Sequence, residues 1–571
     1  MTDEGASRTP PASATDAPGP GDGLPGDAPA DDGRDRRGTG RSALSVGGGV
    51  LLSRLTGFAR DVVIGAFFGT GTALSAYYAA LRIPNVIRNL LGEGTLSASF
   101  VPVYSSLLEE DPAKARRLAR SVLGVVVGLA GLLSALGVLL APLLTRLVVP
   151  GWGSEAAALA TSLVRILFPM AGVMIVAAWC LGVLNSHRRF FLPFAAPMLW
   201  NLAQIGGLFA GEWAGWGSLV HVLAWSTLVG SVLQLGVQLP DAKRLVGELR
   251  PTLDWRWEPL RRVVRNAVPV ISSQGVFQVS SLLDVVLASA LPTAAVGGLY
   301  YAQRLAYLPL SLFGVSVATA ALPEMSREAA AGEEGDGEAR PGGVPGRGRL
   351  GGARARALRK RLREGFFQIL WFVLPSAVVF VLFGDLLVAL LFQRRAFGAE
   401  STALVSAILA AYSLGLVASS SVKLFAGGFH AQQDTRTPLV LAAISVAAGV
   451  GTGAALMFWM KSEGWGATAV AGLVLGGALG HWLNLGLLWG GLARRIGRIF
   501  GWRELRKVAR IAVAALAAGG AGHLARGWLE GILPGADLGA RALLVAGTLV
   551  VAGVPYLLTA GRPPGGTPND G

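Results

Sequence analysis

The chain has 571 residues, of which 52% are hydrophobic and 15% charged, with a mean hydropathy of +0.53. Soluble domains carry about 25% charged residues, so this composition excludes an ordinary soluble fold and points to an integral membrane protein. The net charge of +15 does not read as nucleic-acid binding, because the Lys and Arg sit in short loops between apolar runs, where orientation signals belong.

Residues 1–41 are rich in Pro, Gly, Asp and Ala and contain no apolar run, which predicts a disordered tail without a secretory signal. Stretches long enough to cross a bilayer (about 20 residues) follow at 42–68, 73–107, 118–149, 156–185, 192–211, 217–239 and 261–291. They continue at 295–325, 362–392, 401–429, 437–460, 464–492, 507–530 and 538–560, so fourteen transmembrane helices are expected. The even-numbered connections hold most of the positive charge, among them Lys114 to Arg120, Lys243 to Arg265, Arg327 to Arg363 and Arg494 to Lys507. The odd-numbered ones hold little beyond Arg394, Arg395 and Lys461. The even loops and both termini are therefore expected in the cytoplasm. Residues 327–363, rich in Gly, Glu and Arg, read as a flexible cytoplasmic linker ending in a basic helix start.

An internal repeat organises these helices. Asp61-Val62-Val63 and Tyr77-Tyr78-Ala79 recur 223 residues later as Asp284-Val285-Val286 and Tyr300-Tyr301-Ala302. An offset spanning six helices gives two halves of the same orientation, the pattern of transporters with two bundles related by an axis along the membrane normal. The expected divisions are a first lobe at 42–240, a second lobe at 241–492, two further helices within 493–561 and a tail at 562–571. Pro84 and Pro309 each remove a backbone donor and predict kinks in the second and eighth spans.

Charge inside these helices is the anomaly. Arg54, Arg60, Asp61, Arg82, Arg88 and Glu93 fall in the first two spans, where an ionised side chain costs roughly 2.5–3.5 kcal/mol at the bilayer centre. Such residues face a bundle interior or a wet cavity, and several guanidinium forks together suit a phosphate or pyrophosphate. The alternative for any one arginine is snorkelling to a headgroup. Enzymatic chemistry has little support. There is no H-E-x-x-H, Walker loop or nucleophile elbow, and the five histidines are scattered. The single cysteine, Cys180, reads as a small buried thiol. Residues alone reach a transporter of a large anionic or lipid-linked substrate, and leave an intramembrane enzyme, a cation-coupled drug antiporter and a scaffold as rivals.

SRLTGFARD at Ser53–Asp61, LRIPNVIRNLLGEGTLSASFVPV at Leu81–Val103 and YYAQRLAYLP at Tyr300–Pro309 resemble the MurJ (MviN) family of lipid II flippases, in the multidrug/oligosaccharidyl-lipid/polysaccharide exporter superfamily. GFHAQQDTRTP at Gly428–Pro438 and QLP at Gln238–Pro240 fit as well. The resemblance implies an all-α, MATE-like fold of about fourteen transmembrane helices, two six-helix lobes plus two C-terminal helices. It implies transfer of undecaprenyl-pyrophosphate-linked disaccharide-pentapeptide across a bacterial inner membrane by alternating access, for peptidoglycan synthesis. Another lipid-linked glycan is the alternative substrate. Partners would be lipid II, membrane lipids and the cell-wall synthesis machinery, with no nucleic acid. The family's essential arginines fall on Arg54, Arg60, Arg88 and Arg304, with Arg82 an auxiliary charge, and the lipid tail would lie along roughly Val508–Pro555. Ser75 and Gln303 stand where the family often has acids, so the gating ion pairs would be either absent or supplied by Asp61, Glu93 or Asp284. No cofactor is expected. Coupling to Na+, to H+ or to the membrane potential stays open, with Asp284 the local candidate for a cation ligand.

Overall fold

A computed structural model describes residues 32–330, 352–532 and 538–560. The tails at 1–31 and 561–571, and most of the expected linker (331–351), lie outside the described residues. Every regular element among the described residues is helical, and each expected apolar run coincides with one helix or with consecutive pieces of one.

The first lobe runs α1 (Asp32–Phe68), α2 (Thr72–Leu91), α3 (Glu93–Glu110), α4 (Pro112–Leu139), α5 (Ala141–Val148), α6 (Ser154–Ser186), α7 (Phe191–Ala195), α8 (Pro197–Trp213) and α9 (Leu219–Val246). The second runs α10 (Glu258–Ala288), α11 (Ala294–Pro309), α12 (Ser316–Ala330), α13 (Gly352–Phe392), α14 (Ala399–His430), α15 (Arg436–Ser462) and α16 (Val470–Ile496). The pair α17 (Trp502–Ile532) and α18 (Leu538–Ala560) pack on each other and on α13.

Among the described residues, ten helices are long and apolar enough to cross a membrane, fewer than the fourteen expected. Of the remaining runs, those around α1 and α2 with α3 carry the intramembrane charges, and that of α7 with α8 is broken into short pieces. α1 also begins ten residues before the expected Ser42, since extending an existing helix costs far less than nucleating one.

The breaks have local causes. The second run continues through Pro84 and stops at Gly92, where a Cβ would come within 2.3 Å of the Arg88 carbonyl oxygen. That break puts Arg88 in the last turn of α2 and Glu93 in the first turn of α3, each at the helix end whose dipole favours it. Pro309 behaves as expected and is followed by a π-helical stretch, Leu310–Val315, between α11 and α12. In α13 the kink falls at Phe383 (φ −128°, ψ 16°).

α10 straddles the lobes. Its Leu260 and Val263 join a core built from α3, α4, α6 and α9 of the first lobe, while further along it meets α15 and α16 of the second. At the end of the molecule where α1 runs into α2, the lobes are stitched together. The Ala396 amide donates to the Ala66 carbonyl at 3.0 Å, Thr70 bonds Ser401 at 2.9 Å, and Thr72 bonds Thr293 at 2.8 Å. Gly69 turns the chain there at φ +59°, with no room for a side chain against the Ala396 carbonyl.

Candidate functional site

The repeated words meet at the junction of the lobes. Tyr78 and Tyr300, equivalent to within one position of the repeat, stack with ring centroids 3.4 Å apart and planes at 16°. Beside them lies Asp61, fully buried. Its Oδ1 accepts from Arg60 Nη2 at 2.6 Å and Nε at 3.1 Å, and from the Tyr300 hydroxyl at 3.2 Å. Its Oδ2 accepts from Arg304 Nε at 2.8 Å. One carboxylate thus joins an arginine of α1 to an arginine of α11. Of the three acids expected to be candidates for a gating pair, Asp61 is the one that forms an ion pair among the described residues. Glu93 and Asp284 make no ion pair among the described residues.

Arg60 is held from three directions, because a buried guanidinium must have its charge balanced and its donors used. Besides Asp61, its Nη1 donates to Asn201 Oδ1 at 3.0 Å and its guanidinium lies 5.0 Å from the Trp200 ring centroid. Asn201 is itself fixed, donating to the Ser53 carbonyl and the Thr56 hydroxyl. Both α8 residues escaped the sequence reading, since an Asn and a Trp in an apolar helix carry no signal until the helix is placed against α1.

Above this network opens a cavity of about 520 Å³. Arg54, Arg60, Arg88 and Arg304 all line it, so the structure gathers from α1, α2 and α11 the four arginines that the sequence singled out. Glu93 shares the lining and Asp61 lies just behind it, which leaves the cavity net positive. The Arg88 and Arg54 side chains have no hydrogen bond or ion pair among the described residues. Asn89, Asn201, Gln234, Gln274, Gln278 and Trp200 supply much of the rest of the wall. Guanidinium groups with unfilled donors, in a cavity of this size and sign, can take an anion with several phosphate oxygens.

Arg82 is not in this cavity. It donates to the Ser281 carbonyl at 2.6 and 3.0 Å and lines a separate cleft of about 60 Å³ with Asn85, Asp284 and Gln303. Ser75 and Gln303, where the resemblance leads to an expectation of acids, are both placed. Ser75 is fully buried and accepts the Gly297 amide across the lobe junction at 3.1 Å, while Gln303 borders the Arg82–Asp284 cleft. Among the described residues no group of three or more His, Cys, Asp or Glu side chains could hold a metal ion.

A further acid, Asp385 of α13, is paired across helices. Arg526 of α17 grips it with two bonds, at 2.8 and 3.0 Å, and reaches Glu530 one turn on, fastening α17 to α13.

A family model described as "Lipid II flippase MurJ" matches residues 64–533. The chain is 31% identical to a probable lipid II flippase MurJ of Rhizobium tropici, over 90% of this chain and 93% of the relative. It is 32% identical to the corresponding protein of Rhizobium meliloti (90% and 92% covered) and 33% identical to lipid II flippase MurJ of Burkholderia cenocepacia (70% and 75%). Among solved structures, the fold is similar to that of lipid II flippase MurJ in an inward closed conformation (TM-score 0.69, 21% identity, 90% and 97% covered). It is also similar to an inward-facing MATE family transporter of the MOP superfamily (TM-score 0.61, 16% identity, 78% and 95% covered).

Proposed function

The chain belongs to the lipid II flippase MurJ family, and from that premise we propose that it carries lipid II across the bacterial inner membrane by alternating access, supplying cell-wall synthesis. The observation that carries the mechanism is the convergence of Arg54, Arg60, Arg88 and Arg304, drawn from both lobes, on one cavity.

In this reading the pyrophosphate enters from the cytoplasmic side and meets Arg88 and Arg54, whose donors are unfilled. It then competes with Asp61 for Arg304, which is about half exposed, whereas Arg60 is sealed by Asn201 and Trp200. Drawing Arg304 away loosens the only carboxylate that ties α1 to α11 among the described residues, and the stitched end of the lobes can then part. The distribution of positive charge among the loops supports that end lying outside and both termini in the cytoplasm. The undecaprenyl chain would remain in lipid, along α17 and α18. Because the cargo is charged, the membrane potential acts on the cycle at about 2.3 kcal/mol per charge per 100 mV.

The test is growth rescue of a bacterium depleted of its own lipid II flippase, comparing wild type with Arg54→Ala and Arg304→Ala at matched membrane expression. Rescue by wild type and failure of both variants is expected. Rescue by all three would remove the arginine cavity as the mechanism, and an expressed wild type that neither rescues nor binds lipid II would remove the substrate.

A further inference from the structure

Pyrophosphate accounts for the arginines of the cavity but not for its amides. Asn201 is engaged with Arg60, Ser53 and Thr56, and Asn89 donates to Gln278 at 3.5 Å. Gln234 of α9 and Gln274 of α10 line the same cavity and make no side-chain hydrogen bond among the described residues. Gln234 is only 4% exposed, and its Oε1 is shut off from solvent without a donor. Buried polar atoms are nearly always satisfied, so an orphaned acceptor in the wall of a binding cavity asks what would satisfy it.

Phosphate does not answer. Its oxygens are acceptors at neutral pH and match guanidinium groups, not a carbonyl oxygen. A carboxamide is complementary to a group that both donates and accepts, such as a sugar hydroxyl or an acetamido N–H and C=O. The break at Gly92 sets Arg88, Glu93 and Gly94 beside these residues, and a Cβ on Gly94 would lie 2.8 Å from Gln274 Nε2. The two free amides therefore border the anion site from opposite lobes.

We propose that Gln234 and Gln274 form a glycan-reading subsite, which hydrogen-bonds the N-acetylated sugar next to the pyrophosphate. This rests on the lipid II reading above. It assigns headgroup specificity to neutral amides and leaves the arginines to hold the phosphates. Because α9 and α10 belong to different lobes, a bound sugar also reports to both.

The experiment uses the full chain in lipid nanodiscs with two probes, bare undecaprenyl pyrophosphate and the same lipid carrying a single N-acetylglucosamine. Wild type is expected to prefer the glycosylated probe. Gln234→Leu and Gln274→Leu are each expected to weaken that probe about five- to tenfold, the loss of one or two neutral hydrogen bonds, while binding of the bare lipid is kept. Gln234→Met, closer in shape, is expected to behave as Gln234→Leu and guards against a packing defect. Equal losses on both probes, unchanged preference in the variants, or no preference in wild type would each overturn the subsite. Failure of wild type to bind either probe would overturn the flippase reading itself.

Discussion

Asp61 is the residue on which the junction turns. Which acid would face which arginine was not legible in the sequence, because that depends on how α1 and α11 are rotated against each other. The spacing of Arg60, Asp61 and Arg304 did show that charge was being brought into the membrane. Removing one partner of a buried ion pair typically costs about 3–5 kcal/mol, because the other is left uncompensated. Asp61→Asn keeps the side-chain size and strands the buried Arg60. Its melting temperature in detergent is expected to fall well below that of wild type, and rescue of a flippase-depleted strain to be lost. Adding Arg60→Gln should restore melting but not rescue. A single variant as stable as wild type would show that the carboxylate is not the counterion. A second acid, Asp434 in the connection between α14 and α15, works differently. Partial burial opposes its charge, but the Thr437 amide and hydroxyl and Arg495, at 3.0, 2.7 and 2.6 Å, outweigh that and hold its pKa down at about 2. A carboxyl depressed on folding adds stability above its ordinary pKa and loses it as the pH falls through the folded value. Asp434→Asn is therefore expected to lower the melting temperature by a constant amount from about pH 5 to 8, with the gap to wild type closing toward about pH 2. A gap that instead widens on acidification would refute the assignment.

At the scale of elements, apolar runs showed where the helices are, and their interruptions were only partly readable. Pro309 was followed by the expected irregularity, but Pro84 was absorbed into α2 and the break fell at Gly92, because a glycine signals nothing until its neighbour's carbonyl is placed. The runs of α1, of α2 with α3 and of α7 with α8, all outside the ten helices long and apolar enough to cross a membrane, line the cavity, where the helix gives up apolarity to carry charge or amide. Contacts between helices were less legible still. α15 and α16 approach so closely that a Cβ on Gly476 would lie 2.1 Å from the Gly453 backbone nitrogen. Backbone cannot yield as a side chain can, so Gly476→Ala must push the helices apart, at about 1–3 kcal/mol for an overpacked core. Gly477→Ala, one residue on, meets nothing within 4 Å and should be neutral or slightly stabilising through helix propensity. Thermal unfolding of the two variants side by side checks this, and equal melting temperatures would refute the packing argument.

For the whole molecule, the 223-residue repeat was the most informative thing in the sequence, and its meaning lies in where the copies meet. They do not merely resemble each other. Tyr78 stacks on Tyr300, and Thr72 bonds Thr293, close to the same offset, so the lobes touch through equivalent surfaces near an axis between them. The repeat could not tell whether this end would be open or shut, because one sequence must serve both states of an alternating-access cycle. The structure catches it shut, held by short side chains and backbone bonds beside the aromatic contacts of Tyr78 with Tyr300 and Phe58 with Phe392. Separation there is obligatory if cargo leaves by that end. Thr72→Cys with Thr293→Cys places two thiols where hydroxyl oxygens now stand 2.8 Å apart, within the reach of a disulfide. The native Cys180 is buried and should not compete. Oxidation of the double variant is expected to stop transport of lipid II in vesicles and reduction to restore it, with binding from the opposite side retained. Full transport with the bond formed would mean that the lobes need not part at this end, and alternating access through it would have to be abandoned.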